Sequence, residues 1–281
     1  MTQETTSPGT VMLCAFEGWN DAGQAVTNVI HHLVSRYDGR EVRHIRCDGY
    51  YDYQAVRPMA CSVTGRRKIL WPQTTFYEII VAPGVHIFAQ IAPEPNYRWQ
   101  EYCGQSLRIA EEFDVDHIVT MGAMFADCPH TRPLPLDQSD RGCQCDLDRE
   151  YNGPVGIPTV LDDMACSQGW DTTSLWVSVP QYLGGDECAQ ATLQILDRLS
   201  VLLGVDLDVG DLPDRANQWK AQASVLTRCN DELSSYVRNL EREYDLAKVA
   251  HDVADLGAPQ AEQLVRETEE YLSNMGDGPR R

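Results

Sequence analysis

The sequence predicts an α/β fold: a three-layer α/β/α core, with helices on both faces of a doubly wound sheet, followed by a C-terminal helical appendage. Three observations carry this prediction. Short apolar runs alternate with stretches of helical period, which is the order of a sheet wound by helices. The runs are continuous rather than alternating, as strands covered on both faces are. Beyond Leu212-Pro213 the chain becomes polar and repeats an apolar residue every seventh position.

The first strand is predicted over Val11–Phe16, and the turn Gly18-Trp19-Asn20-Asp21-Ala22-Gly23 leads from it into a helix over Ala22–Arg36. Further strands are predicted at Val42–Cys47, Phe76–Ala82, His117–Met121 and Leu175–Val179. Helices are predicted over Arg98–Phe113 and over Glu187–Leu203, where Ala191, Ile195, Leu199 and Leu202 recur at helical spacing. Between Met59 and Trp71, Cys61-Ser62-Val63, the turn pair Thr64-Gly65, the basic Arg66-Arg67-Lys68 and Ile69-Leu70-Trp71 predict a small hairpin at an edge. Phe125 to Pro158 holds five prolines among polar residues. A loop that long inside a compact domain is read as functional.

In the appendage Trp219, Leu226, Leu233, Leu240 and Ala247 are spaced by seven, and Ala223, Asn230, Val237 and Tyr244 follow four residues after the first four. This is a coiled-coil seam, with Leu226, Asn230, Leu233, Val237, Leu240 and Tyr244 as candidate oligomer contacts. Two geometries fit. Either one helix of about 40 residues runs from a cap at Asp211 to a stop at Gly257-Ala258-Pro259, or the helix breaks at Cys229-Asn230 and Asn230 caps a second one that folds back on the first. In the continuous form Asn230 is a buried amide that selects register; the seam can also pack on the chain's own core. A last helix is expected over about Pro259 to Ser273. The resulting division is a core over residues 1–210, a helical region over 211–275 and a disordered tail over 276–281.

Composition narrows the function classes. A length of 281 residues suits one core plus an appendage, because single cores stop growing near ~250–300 residues. The formal charge of −19 repels phosphate backbones and anionic headgroups, so neither nucleic acid nor a membrane is an expected partner. No apolar run approaches the ~20 residues of a membrane-spanning helix. The ten cysteines are scattered, and Met1 to Gly9 has neither a basic nor an apolar leader region, so free thiols in the cytoplasm are expected.

Two loops are candidate sites. Gly18, Trp19, Asn20, Asp21 and Gly23 stand at the carboxyl end of a strand and the start of a helix, where open α/β sheets keep ligands. The lysine of a phosphate-binding loop and the GxGxxG spacing are both missing. The structural alternative is that the glycines allow tight packing, Asn20 or Asp21 caps the helix and Trp19 fills a crevice. The second loop, Ala126 to Pro133, also leaves a carboxyl edge, so Asp21, Asp127, His130 and Arg132 could position a polar substrate with His130 moving protons. Cys128 could act as a nucleophile beside His130, but only in an electropositive, accessible pocket. No complete catalytic set is present.

Cys128, His130, Cys143 and Cys145 offer a zinc donor set whose single-residue spacing at Cys143-Gln144-Cys145 is unfavourable, so no metal or cofactor is expected. Asp162-Asp163 reads as the N-terminal cap of a short helix near Met164.

The motifs themselves bring a resemblance. Phe16-x-Gly18-Trp19-Asn20-Asp21-Ala22-Gly23, Pro93-Glu94-Pro95 with Tyr97-Arg98-Trp99, and Gly122-Ala123-Met124-x-Ala126-Asp127-x-Pro129-His130-Thr131-Arg132-Pro133 resemble the proteasome assembly chaperone family, in its bacterial branch and of the second-chaperone type. Tyr151-x-Gly153-Pro154-x-Gly156-Ile157, Ser174-Leu175-Trp176-x-x-Val179-Pro180 and Tyr236-Val237-Arg238-Asn239-Leu240-Glu241 are similar to the same family. The resemblance implies a phosphorylase/hydrolase-like core, a C-terminal helical region and self-association, with a trimer as the first assembly to consider. For eukaryotic and archaeal relatives it implies binding to proteasome α subunits; for bacterial members no activity is assigned. Docking through a C-terminal hydrophobic-tyrosine-any tripeptide is not expected, because the sequence ends Pro279-Arg280-Arg281. The expected function is therefore a non-enzymatic assembly or interaction protein, with a small-molecule-binding or hydrolase-like protein using residues 18–23 and 126–133 as the alternative.

Overall fold

The computed structural model describes residues 9–46, 49–63, 66–141 and 153–255. In chain order the core elements are β1 (Thr10–Glu17), α1 (Ala25–Arg36), β2 (Arg40–Ile45), β3 (Met59–Val63), β4 (Arg66–Leu70), β5 (Thr74–Ala82), β6 (Val85–Pro93), α2 (Trp99–Glu112) and β7 (His117–Ala126). They continue with β8 (Leu136–Arg141), α3 (Ile157–Ser167), β9 (Asp171–Pro180), α4 (Ala189–Leu203), α5 (Leu212–Arg228) and α6 (Asp231–Asp255).

Seven strands form one sheet in the order β2-β5-β6-β1-β7-β9-β8, while β3 and β4 make a separate two-stranded sheet. The middle of the sheet is parallel, β1 pairing with β6 and β7, and β7 with β9. The flanks, β2–β5–β6 on one side and β8–β9 on the other, are antiparallel. The sheet is thus mixed.

Strand periodicity builds the three layers. Successive residues of a strand point to opposite faces. On β1, Val11, Leu13 and Ala15 enter one apolar cluster with Val26, Ile30 and Leu33 of α1 and Ile195 and Leu199 of α4. Met12, Cys14 and Phe16 enter a second cluster with Tyr102 and Leu107 of α2 and Ile157, Leu161 and Ala165 of α3. Both clusters are buried, so β1 is covered on each face, as its continuous apolar run predicts. The second cluster holds a polar network as well. Gln90 Nε2 donates to Tyr102 Oη at 3.1 Å and Ser106 Oγ at 2.9 Å, and Thr74 Oγ1 lies 2.6 Å from Tyr102 Oη.

The structure adds two strands to those predicted. β6 is an apolar run and the second arm of a hairpin turning at Gly84, whose φ is +79°. β8, Leu-Asp-Gln-Ser-Asp-Arg, lies within the predicted loop Phe125 to Pro158 and is polar because it is an edge with one neighbour. β2 is also an edge, mostly exposed, and not the doubly covered strand its apolar residues suggest. Asp162 and Asp163 lie inside α3 rather than at its N-terminus.

The chain divides into two compact units, residues 1–226 and 227–281. In the first, Leu212 and Trp219 of α5 pack with the α1/α4 cluster. Between α5 and α6 the helix breaks at Cys229-Asn230. In the second unit the Asn230 side chain caps α6, Oδ1 accepting from Leu233 N at 3.0 Å, while its carbonyl accepts from Ser234 N at 2.8 Å. Of the two geometries open to the sequence, the continuous helix is thus not the one adopted. The heptad seam is therefore not carried by one helix. Leu226 ends up 58% exposed on α5, Asn230 is a cap and not a buried register residue, and Leu233, Val237, Leu240 and Tyr244 recur along one face of α6. The helix expected over Pro259 to Ser273 and the tail over 276–281 lie outside the described residues.

Candidate functional site

The turn after β1 is tightened by its own backbone. Gly18 takes φ +106°, its carbonyl accepts from Asp21 N at 3.2 Å, and Gly23 takes φ +63° within a 3₁₀ turn, Ala22–Gln24. Gln24 follows with φ +51°, so α1 begins at Ala25, three residues later than predicted. The left-handed pair sets the turn at an angle that Asp21 then fixes. Asp21 Oδ1 accepts from Val26 N at 2.9 Å and Thr27 N at 3.3 Å, and Thr27 Oγ1 donates to Oδ2. These are the free donors at the start of a helix. Asp21 is thus the cap, and its carboxylate is spent within its own turn.

Burial raises the Asp21 carboxyl above its ordinary range, while the hydrogen bonds from Thr27 and Val26 and the charge of His31 pull it back in part. Folded protein then holds this proton more tightly than unfolded chain. The associated stability is full below the ordinary aspartate value and is lost as pH rises through the raised one. Asp21→Asn keeps the acceptor and removes the titration. As pH rises above about 4, the ordinary aspartate value, the melting temperature of the parent should fall relative to that of the variant; parallel curves would show that Asp21 titrates normally.

Asn20 turns the other way. Its side chain is fully buried, Nδ2 donates to Glu94 Oε1 at 2.7 Å, and its carbonyl accepts from Ala123 N of β7 at 2.7 Å. Glu94 Oε1 also accepts from Ile157 N, the first residue of α3, at 3.0 Å, and Glu94 N donates to the Glu17 carbonyl at 3.1 Å. One carboxylate thereby ties the ends of β1 and β6 to a helix start that has no side-chain cap of its own. Gly156 leaves room for this. A Cβ there would fall 1.8 Å from Asn20 Oδ1, an oxygen that has no hydrogen-bond partner among the described residues. On the opposite side a Cβ on Gly23 would fall 2.7 Å from Cys188 Cβ, and Cys188 N donates to the Gly23 carbonyl at 2.8 Å.

The second loop follows β7. Asp21 bridges to Ala123, so the first turn is hydrogen-bonded to the strand that feeds the second loop, and the two loops meet at the backbone as the sequence suggests. Their polar side chains are engaged elsewhere. His130 is 1% exposed; its backbone N–H donates to Tyr182 Oη at 2.8 Å, Nδ1 lies 2.8 Å from the same oxygen, and Nε2 lies 3.1 Å from Ser224 Oγ of α5. Asp127 accepts from Gln181 Nε2. Arg132 is partly buried, and its backbone N–H donates to the Pro129 carbonyl at 3.4 Å.

Cys128 is buried, and desolvation with help from Asp127 pushes its thiol up to about 12. A thiol held neutral in this way is a poor nucleophile. Cys143 and Cys145 lie outside the described residues, and among the described residues no cluster of three metal-ligating side chains occurs.

Beside the exposed Asp127 and Thr131, the edge offers large apolar side chains to solvent. Trp19 is 65% exposed, Met124 46% and Phe125 47%, and the Asn20–Ala123 hydrogen bond makes these three near neighbours along the backbone. Trp19 therefore fills no crevice. Glu94, which organises this edge, was not among the site candidates drawn from chemistry. Its signal in the sequence was only its place between Pro93 and Pro95.

Fold and edge together define a three-layer α/β protein whose carboxyl-edge loops are closed by internal hydrogen bonds and carry exposed aromatic residues. The PAC2 family profile matches residues 15–227. The chain is similar to a PAC2 family protein of Streptomyces avermitilis at 34% identity, covering 81% of this chain and 99% of that one with a TM-score of 0.73. It is also similar to a Mycobacterium tuberculosis proteasome-assembly chaperone homologue at 31% identity, with the same coverage and TM-score. The fold is shared at 15% identity and TM-score 0.60 by Pyrococcus furiosus PbaB, an archaeal proteasome activator, over 80% of this chain and 96% of that one. No match was found among curated proteins. The chain belongs to the PAC2 family.

Proposed function

We propose that this chain is a non-enzymatic, self-associating assembly or interaction protein of the cytoplasm that contacts protein partners through the carboxyl edge of its sheet. One observation carries the reading: at the place where open α/β folds keep reactive groups, Asn20, Asp21 and His130 are buried in hydrogen bonds while Trp19, Met124 and Phe125 face solvent. Exposed aromatic side chains on a rigid base are the composition of interface hot spots. The relative described as a proteasome-assembly chaperone homologue makes proteasome α subunits the first partners to test.

The test compares the tagged parent with a Trp19→Ala, Phe125→Ala variant in lysate of the source organism, quantifying α subunits by mass spectrometry. Both side chains are exposed, so the variant should melt with the parent. Recovery of α subunits with the parent and a loss of about tenfold or more in the variant is the expected result. Equal recovery would remove the edge from the interface, and recovery with neither would remove the assembly role.

A further inference from the structure

A groove between β2 and α2 reverses the charge of this acidic chain. It encloses about 730 Å³, and Arg43, Arg46, Arg98 and Arg108 line it with two carboxylates, Glu101 and Glu112. Four guanidinium groups less two carboxylates leave +2 there, on a chain of net −19. Two of the arginines are held in place. Arg43 pairs with Glu112 at 2.9 Å. Arg98 pairs with Glu101, lies over the Tyr50 ring at 5.8 Å to its centroid, and takes φ +59°. Gly49 lies against it, a Cβ there coming 3.0 Å from Arg98 Nη1. The floor includes buried Tyr50, whose hydroxyl faces Gln105 Oε1 at 3.3 Å and Glu101 Oε1 at 3.4 Å.

Arg46 and Arg108 differ from the held pair. Both are exposed, and neither makes an ion pair among the described residues. One stands just past the end of β2 and the other on the facing helix, so they approach the groove from opposite walls. A guanidinium fork matches the paired oxygens of phosphate and carboxylate, and a cleft of net positive charge concentrates counter-charge. Single contacts in so open a groove are weakened by water and salt. A ligand with charged groups at two points gains from both walls, whereas a monovalent ion gains from one.

We propose that this groove binds a small polyanion carrying phosphate or carboxylate groups, with Arg46 and Arg108 as its primary contacts and Arg43 and Arg98 as fixed secondary ones. Neither Trp19 nor Phe125 lines the groove, so the site stands independently of the partner reading above.

Titration calorimetry of the full chain tests it, with pyrophosphate and citrate as ligands at constant ionic strength set by sodium chloride. Saturable binding by one or both is expected, weakened about tenfold or more in an Arg46→Ala, Arg108→Ala variant, weakened less with lysine at both positions, which keeps the charge but not the fork, and unchanged by Arg238→Ala on α6. A thermal melt of each variant confirms folding. The proposal falls if neither anion gives a saturable signal up to about 10 mM, if the double variant binds as the parent does, or if Arg238→Ala weakens binding equally.

Discussion

Gly23→Ala is expected to destabilise the fold by about 2–5 kcal/mol. Gly23 holds φ +63°, and a residue with a Cβ in the left-handed region costs about 1–2 kcal/mol. The added methyl would also stand 2.7 Å from Cys188 Cβ and 3.2 Å from Cys188 N, between two buried backbones, and overpacking of this kind costs about 1–3 kcal/mol. Gly84→Ala separates the two contributions. Its φ is +79°, yet nothing lies within 4 Å of the new carbon, so only the backbone cost applies. Urea unfolding of both variants should show Gly23→Ala as clearly the weaker. Equal losses would mean that the turn moves away from Cys188 without penalty.

Glu94→Ala should cost about 2–4 kcal/mol. Removing the carboxylate leaves Ile157 N at the start of α3 without its acceptor, a loss of about 1 kcal/mol for a helix cap. It also strips Asn20 Nδ2 of its partner in a fully buried site where Asn20 Oδ1 already has none among the described residues, and an orphaned buried donor costs about 1–3 kcal/mol. Glu94→Gln keeps an acceptor oxygen and should recover most of the loss, less the contribution of about 0.3–1 kcal/mol from an anion at a helix N-terminus. An alanine variant within 0.5 kcal/mol of the parent would show that water replaces the carboxylate. Because the same contact sets the backbone beneath Trp19, the alanine variant should also weaken partner recovery while Glu94→Gln retains it.

Much of this architecture was legible in the chain because it rests on local period. The continuous run Val11–Phe16 announces a strand covered on both faces, and the helix expected over Arg98–Phe113 is found at Trp99–Glu112. Asp21 as a cap and the meeting of the two loops at the carboxyl edge were legible for the same reason: a strand, a turn and a helix start stand in direct sequence. β8 was not legible, because an edge strand needs no apolar face and Leu136–Arg141 has no pattern to read. The helix break at Asn230 was undecided, because asparagine serves equally as a cap and as a polar seam residue, and only its bond to Leu233 N distinguishes the two.

The candidate site divides along the same line. Residue types alone allowed Asp21, His130 and Cys128 to be read as a polar or reactive group. What each one does depends on partners far away in sequence: His130 on Tyr182 and Ser224, Asn20 on Glu94, Gly23 on Cys188, and the thiol of Cys128 on the apolar packing that keeps it protonated. The sequence by itself determined the layers, the family motifs and the positions of the two loops, since these follow from period, turn residues and order along the chain. Only the tertiary structure decided that Asn20, Asp21 and His130 turn inward while Trp19 and Phe125 turn outward. Burial and hydrogen-bond partnership belong to pairs of residues brought together by folding, and no single position in the chain carries them.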